Sequence, residues 1–273
     1  MPFTDSSFGD LTSELDLWAK RLDERILPHR WEGRLRRTLE AEAVAASTSM
    51  EGVPVTVDDT LKILAGDAPE SVSARDQALV RGYRDAMRYV QRRADDGSLL
   101  WNRELVVGVQ DRVAAGDLTM GAGQLRTRAA WITNNRDGRT VFEPPRPDAI
   151  PNLVDQIGET METADWHPAI AAAWMHVAVA AVHPFLDGNG RTARVLASLA
   201  MYRGGFRHAA FTSLDPEHYY GAFDCLGSKF DPEANVSPFV FAHVSAQLRQ
   251  VRALALRQRF EGMLWTTLEN LLE

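Results

Sequence analysis

Apolar side chains recur at helical spacing through most of this chain. From Leu11 to Ile26 they fall at Leu11, Leu15, Leu17, Trp18, Leu22 and Ile26, the one-sided stripe of an amphipathic helix. Trp31 to Met50 is rich in Ala, Glu and Arg, and Glu51-Gly52 with Pro54 beyond marks its end. Val72 to Ala94 predicts a long helix whose apolar positions include Leu79, Val80, Tyr83, Met87, Tyr89 and Val90, and Asn102 to Ala115 a shorter one. The period changes once. Ala130 to Thr133 and Thr140 to Phe142 have strand composition and flank Asn134 to Gly138, where Asp-Gly is a hairpin cue. Helices follow at about Asp148 to Met161, Pro168 to Val182, Gly190 to Tyr202, Pro216 to Leu226, Pro238 to Leu248 and Gln250 to Leu272. The pattern is all-α with one β-hairpin. It suggests an N-terminal helical region at 1–70, a core at 71–248 and a C-terminal helix at 249–273. Trp101, Trp131, Trp166, Trp174 and Trp265 read as packing residues.

Composition narrows the chemistry. Of 273 residues, 45% are hydrophobic, enough for a sizeable core. A formal net charge of −7 argues against broad attraction to nucleic acid, so a phosphate ligand needs a local basic cluster. The single cysteine, Cys225, rules out an intrachain disulfide framework and a cysteine-based zinc site. With no leader-like N-terminus and no apolar run near the roughly 20 residues that span a bilayer, the expected setting is cytoplasmic, away from membranes.

One stretch concentrates chemistry: His183-Pro184-Phe185-Leu186-Asp187-Gly188-Asn189-Gly190-Arg191-Thr192-Ala193-Arg194. An apolar helix delivers a histidine at its end, Pro184 stops it, and Asp187 to Gly190 makes a tight turn. A new helix opens at once, and its first N–H groups and positive potential suit an anion. Arg191 and Arg194, three apart, share a face where the helix dipole disfavours cations unless an anion sits between them. Asp187 offers an oxygen ligand for Mg²⁺. His183 can take up a proton near neutral pH. Singly, each residue has an ordinary structural reading as a cap, a turn or a surface charge. His176, on the preceding helix, reads as structural.

The stretch resembles the Fic family signature H-x-F-x-[DE]-G-N-[GK]-R-x-x-R without departure. That resemblance implies a Fic-type helical bundle with a hairpin flap, and transfer of AMP from ATP with Mg²⁺ (or Mn²⁺) onto a protein hydroxyl. It assigns His183 as general base, Phe185 as structural anchor and Asp187 as metal ligand. Asn189 and the backbone of Gly188 and Gly190 become the phosphate cradle, Arg191 steadies the leaving phosphates, and Arg194 reaches the γ-phosphate. Gly190 stands where the phosphorylating, Doc-like branch has lysine, which favours nucleotidyl transfer.

Ser47-Thr48-Ser49-Met50-Glu51-Gly52 resembles the family's inhibitory pattern [ST]-x-x-x-E-[GN]. Its position ahead of the signature implies the subclass with an N-terminal inhibitory helix. Ser47 and Glu51 share a helix face, and Glu51 is expected to pair with Arg194. The hairpin at 129–142 corresponds to the flap, whose edge would hold a target segment by strand pairing. Tyr219-Tyr220 resembles the helix after the signature, with Tyr220 a candidate near adenine. Gly227 replaces the asparagine some relatives carry, which leaves base preference open. Self-modification is a further expectation, and the flap edge or the amphipathic C-terminal helix (Leu254, Leu256, Phe260, Met263, Leu264, Leu268) could pair with a second copy. The alternatives are an AMP-removing hydrolase, a transferase of another nucleotide moiety, and a non-catalytic nucleotide-binding module.

Overall fold

The structure is a computed structural model. It describes residues 1–4, 8–24, 29–117, 119, 121–133, 138–206 and 216–272. Ten helices and one hairpin occur among them: α1 (Gly9–Asp23), α2 (His29–Met50), α3 (Val57–Ala65), α4 (Ala74–Arg93), α5 (Arg103–Val113), β1 (Ile132–Thr133), β2 (Thr140–Phe142), α6 (Ile150–Thr163), α7 (Pro168–Val182), α8 (Asn189–Arg203), α9 (Pro216–Gly221) and α10 (Ser237–Leu272). The fold class is therefore all-α with a two-stranded antiparallel sheet. No helix among the described residues is long and apolar enough to cross a membrane.

The core is built around α7 and α8. Neither is amphipathic in the usual sense. Ala169, Ile170 and every residue from Ala172 to Val179 are buried in α7, and α8 is buried at Asn189 and from Arg191 to Tyr202. A helix apolar or buried all round belongs inside the bundle. The alanines of α7 let α8 approach closely, and α4, α5, α6 and α10 surround the pair. One hydrophobic cluster runs from Phe8 and Leu15 of the N-terminal segment through to Val251, Leu254 and Ala255 of α10. Burying that surface at about 25 cal/mol per Å² is the main force holding α7 and α8 in register.

Several elements differ from the sequence expectation. Helix α3 went unpredicted, although Thr56 and Asp59 form a capping box at its start and Gly66 closes it at φ 105°. The C-terminal region is one continuous helix, because nothing at Arg249-Gln250 breaks a helix. The expected 248/249 division thus falls inside α10, which packs along α1. On α10, Leu254 is buried, whereas Leu256, Phe260, Met263 and Leu264 are exposed.

Of the tryptophans, Trp101 and Trp174 are buried, and Trp166 packs edge-on against Phe3 at 4.9 Å. Trp131 is 59% exposed and corrects the packing expectation, since a two-stranded ribbon has no second layer to cover it. The Trp265 side chain lies outside the described residues. Strand β1 is shorter than expected and leaves out Ala130 and Trp131, and the expected Asn134–Asp137 tip lies outside the described residues. The register pairs Ile132 with Phe142 and Thr133 with Thr140 across an irregularity. Beyond β2, Glu143 bridges to Lys229, tying the hairpin base to the segment after Gly227.

Candidate active site

The site forms where α7 ends and α8 begins. His183 follows the last residue of α7 with left-handed angles, φ 47° and ψ 59°, and donates its N–H to the Val179 carbonyl at 3.0 Å. It is the one non-glycine residue with positive φ among the described residues. Such a conformation costs energy in a residue with a Cβ and must be held from outside. Burial drives the His183 pKa down to about 4, against an opposing hydrogen bond to the backbone of Ala180; nearby Arg126 lowers it further. The ring is therefore neutral at pH 7, the state in which it can accept a proton.

Between the helices the loop is braced internally. Phe185 is fully buried and anchors it. The Asn189 side chain accepts from the Phe185 N–H and donates to the Phe185 carbonyl, both at 2.9 Å. Its amide thus clamps the loop, leaving backbone groups to face a ligand. Gly188 takes φ 80°, which favours glycine, and α8 starts with no side-chain cap. Thr192 donates to the Gly188 carbonyl at 2.9 Å, so the N–H groups ahead of it, on Asn189, Gly190 and Arg191, open the helix without intrahelical acceptors. Asp187 is half exposed beside this turn, with Oδ1 3.5 Å from Arg191 Nη2.

Both arginines are buried. Arg191 is 2% exposed, and its Nε and Nη1 have no hydrogen-bond partner. Leaving a buried cation so poorly satisfied is expensive, and a polyanion at the start of α8 would complete it. Arg194 is fully engaged. Its Nε donates to Ser47 Oγ at 2.7 Å, its Nη1 to the Tyr219 hydroxyl at 2.9 Å, and its Nη2 to the Ser47 carbonyl at 3.1 Å and to Glu51 Oε1 at 2.6 Å.

Thus α2 lies across the mouth of the site. Ser47 is buried, and Glu51 sits just past the helix end in the turn closed by Gly52 at φ 79°. Burial alone would raise the Glu51 pKa; the charge and hydrogen bond of Arg194, with Arg191 and His183, overcome it and hold the carboxyl below its ordinary value. The carboxylate also lies against α8 itself, since a Cβ on Gly190 would collide with Glu51 Oε1. Gly190 accordingly serves close approach within a helix, not the turn geometry expected of it. Glu51 thereby occupies the anion-favouring end of α8.

Residues 100–201 match the Fic/DOC family. The chain carries a Fic/DOC family domain. It is 26% identical over 178 residues to a protein adenylyltransferase Fic of Nematostella vectensis, covering 64% of this chain and 40% of that protein. It is 27% identical over 240 residues to the protein adenylyltransferase fic-1 of Caenorhabditis elegans, covering 83% of this chain and 42% of that protein. The chain thus spans about two-fifths of the length of these curated relatives. A solved Fic domain containing signaling protein from Bacteroides thetaiotaomicron superposes with a TM-score of 0.77 at 20% identity, covering 91% of this chain and 96% of that one. At that identity the likeness establishes the fold.

Within the Fic domain, two polar residues outside the signature shape the loop. Arg126, 2% exposed, donates to the carbonyls of His183 at 2.8 Å, Arg128 at 2.8 Å and Pro145 at 2.7 Å, and its own N–H meets the Pro184 carbonyl at 2.9 Å. This clamp holds the strained His183 turn and joins it to both ends of the hairpin region. Gln110, fully buried, donates to the Asp187 carbonyl at 3.2 Å and accepts from the Gly123 N–H at 2.7 Å. Neither residue was singled out from sequence, because a lone arginine or glutamine in a helix or loop reads as a surface group.

Ser47, Glu51 and Tyr219 lie outside the matched residues and are brought in by packing. Of the tyrosine pair, Tyr219 is buried against Arg194, with the guanidinium carbon 5.6 Å from its ring centre. Tyr220 is 53% exposed and donates its hydroxyl to the Met50 carbonyl at 2.8 Å, tying α9 to the end of α2.

Proposed function

We propose that this chain is an autoinhibited protein adenylyltransferase, which moves AMP from ATP to a Ser, Thr or Tyr hydroxyl of a target protein. One observation carries the reading: a buried, incompletely partnered Arg191 beside the uncapped start of α8, with a neutral His183 across the same loop. The names of the curated relatives support the same activity.

In this mechanism the ATP phosphates lie on the opening N–H groups of α8. Arg191 neutralises the leaving phosphates, and Arg194, once released from Glu51, takes the γ-phosphate. The target hydroxyl oxygen attacks the α-phosphorus and gives its proton to His183. The bond from the α-phosphorus to the bridging oxygen of the β-phosphate breaks, and pyrophosphate leaves. Such transfers depend on positioning and charge neutralisation, and a histidine base adds about 10²–10⁴-fold.

The described residues contain no group of three or more acidic, histidine or cysteine side chains able to hold a metal alone. The half-exposed Asp187 carboxylate suits a Mg²⁺ shared with nucleotide phosphates, which commonly uses one or two carboxylates. When bound, the ion would supply further charge neutralisation.

Glu51 blocks the cycle by occupying Arg194. A target segment would add to the hairpin at 129–142, where Thr133, Thr140 and Val141 are exposed. Tyr220, which holds the end of α2, is freed to meet adenine only when α2 shifts.

The test is intact-mass analysis of Glu51→Gly, with candidate target, after incubation with ATP and Mg²⁺. The expected result is a gain of one AMP on the enzyme or the target, lost again in Glu51→Gly/His183→Ala. Nucleotide binding by Glu51→Gly with no transfer to any protein would overturn the reading in favour of a binding module. Loss of AMP from a premodified target with the unaltered protein, absent in Glu51→Gly, would favour the hydrolase.

A further inference from the structure

Behind Arg194 lies a chain of buried polar groups that the proposed reaction does not use. Arg194 Nη1 donates to the Tyr219 hydroxyl at 2.9 Å, and that hydroxyl lies 3.1 Å from His176 Nε2. His176 Nδ1 in turn lies 3.0 Å from His243 Nε2, and the buried Gln247 side chain, one turn along from His243, influences that ring. His176 comes from α7, Tyr219 from α9, and His243 and Gln247 from α10. All four are buried.

The direction of every bond follows from Arg194. A guanidinium only donates, so the Tyr219 oxygen accepts from it. The phenol proton has His176 Nε2 as its one acceptor among the described residues, so it points there, and Nε2 carries a lone pair. A neutral His176 has its proton on Nδ1 and donates to His243 Nε2. His243 likewise has its proton on Nδ1. Burial, with His243 and Arg194 adding to it, keeps His176 far below its ordinary pKa, and burial takes His243 down to about 3 against the opposing influence of Gln247. Both rings are thus neutral, as the chain of bonds requires. The His176 ring is also wedged edge-on by Phe239 at 5.4 Å and Phe223 at 6.1 Å, so it cannot turn to exchange its nitrogens without disturbing the core.

We propose that His176 and His243 are positioning residues for Arg194. They fix the Tyr219 hydroxyl as an acceptor, so that the guanidinium keeps one orientation while its Nη2 edge exchanges Glu51 for the γ-phosphate of ATP. This rests on the reading of Arg194 as the γ-phosphate ligand. The relay preorganises a cation that would otherwise have to be reoriented each time Glu51 leaves.

The test compares ATP with ADP, which lacks the γ-phosphate, by calorimetric titration with Mg²⁺ in the Glu51→Gly background. The parent should prefer ATP. Adding His176→Leu removes the acceptor and should cut that preference by about tenfold, the scale of one hydrogen bond to a charged group, and leave ADP affinity unchanged. His176→Gln keeps an acceptor within reach and should restore most of the preference. A merely structural histidine would weaken ATP and ADP alike, and that result overturns the proposal; so does a parent with no preference for ATP. If His176→Leu fails to fold, long-range ¹H–¹⁵N spectra of the unaltered protein decide. Both rings should be neutral with the proton on Nδ1 at pH 7, and a proton on Nε2 of either ring overturns the relay. Because these measurements read binding and tautomer only, failure of Glu51→Gly to transfer AMP would count against the activity and leave this test standing.

Discussion

Glu51 sits in a contact whose strength can be worked out and divided. It meets a guanidinium with 2% of its side chain exposed, while 26% of its own side chain is exposed. A hydrogen bond between two charged groups so placed contributes about 1.5–3 kcal/mol, and ATP must give that up to reach Arg194. Glu51→Gly should therefore tighten ATP binding by roughly 10- to 100-fold. Glu51→Gln keeps a neutral hydrogen bond of about half the strength, so it should recover only several-fold.

The same change should cost stability. Without Glu51, Arg191 and Arg194 remain as two buried cations with no carboxylate beside them except the half-exposed Asp187. Removing one partner of a fully buried pair costs about 3–5 kcal/mol; partial exposure of Glu51 lets water in and brings this to about 1–3 kcal/mol. For a domain of this size that is a fall in Tm of roughly 2–4 °C per kcal/mol. Saturating ATP, or pyrophosphate alone, should return it. Glu51 lies past the end of α2, so glycine there interrupts no helix interior. The assay is calorimetric affinity for ATP together with thermal melts with and without pyrophosphate. Unchanged ATP affinity and unchanged Tm in Glu51→Gly would refute the idea that the carboxylate and the γ-phosphate compete for one cation.

Three further outcomes are expected. Arg126→Lys replaces a fork that reaches three carbonyls with a point charge, so the His183 turn should loosen; a loss of about 2–4 kcal/mol in denaturant unfolding and a fall in transfer rate in the Glu51→Gly background check this. With His183 depressed to about 4, the catalytic base is already neutral well below pH 6, so kcat/KM of Glu51→Gly should be flat between pH 6 and 8, with its acid limb below pH 5; an acid limb near pH 6.5 would contradict the burial of the ring. Stability should fall as pH drops below about 6.5, because His176, His183 and His243 stay neutral in the fold and take up protons only on unfolding; at pH 5 His183 and His243 should each cost about 2 kcal/mol relative to pH 8, and His243→Leu should flatten the dependence of Tm on pH.

Much of this was legible in the residues themselves. Helical periodicity located α1, α2, α4, α5 and α6, and the run from His183 to Arg194 marked its own turn through Pro184 and Gly188. These are local properties: amphipathic spacing, helix stops and backbone freedom act over a few residues and leave their mark in the chain. The capping box of α3 was equally local and was overlooked.

What only the tertiary structure decided concerns groups distant in the chain. That Arg191 is buried and short of partners, that Tyr219 rather than Tyr220 meets Arg194, and that Trp131 is exposed all depend on which faces pack together. The Arg126 clamp joins residues 57 apart, and the His176–His243 pair spans 67. A polar side chain in sequence carries no sign of whether it will be buried, and a buried one takes whatever acceptor the fold brings within reach. Periodicity therefore determined the elements and the loop, whereas the need to satisfy buried donors and charges, met only after packing, determined the wiring of the site.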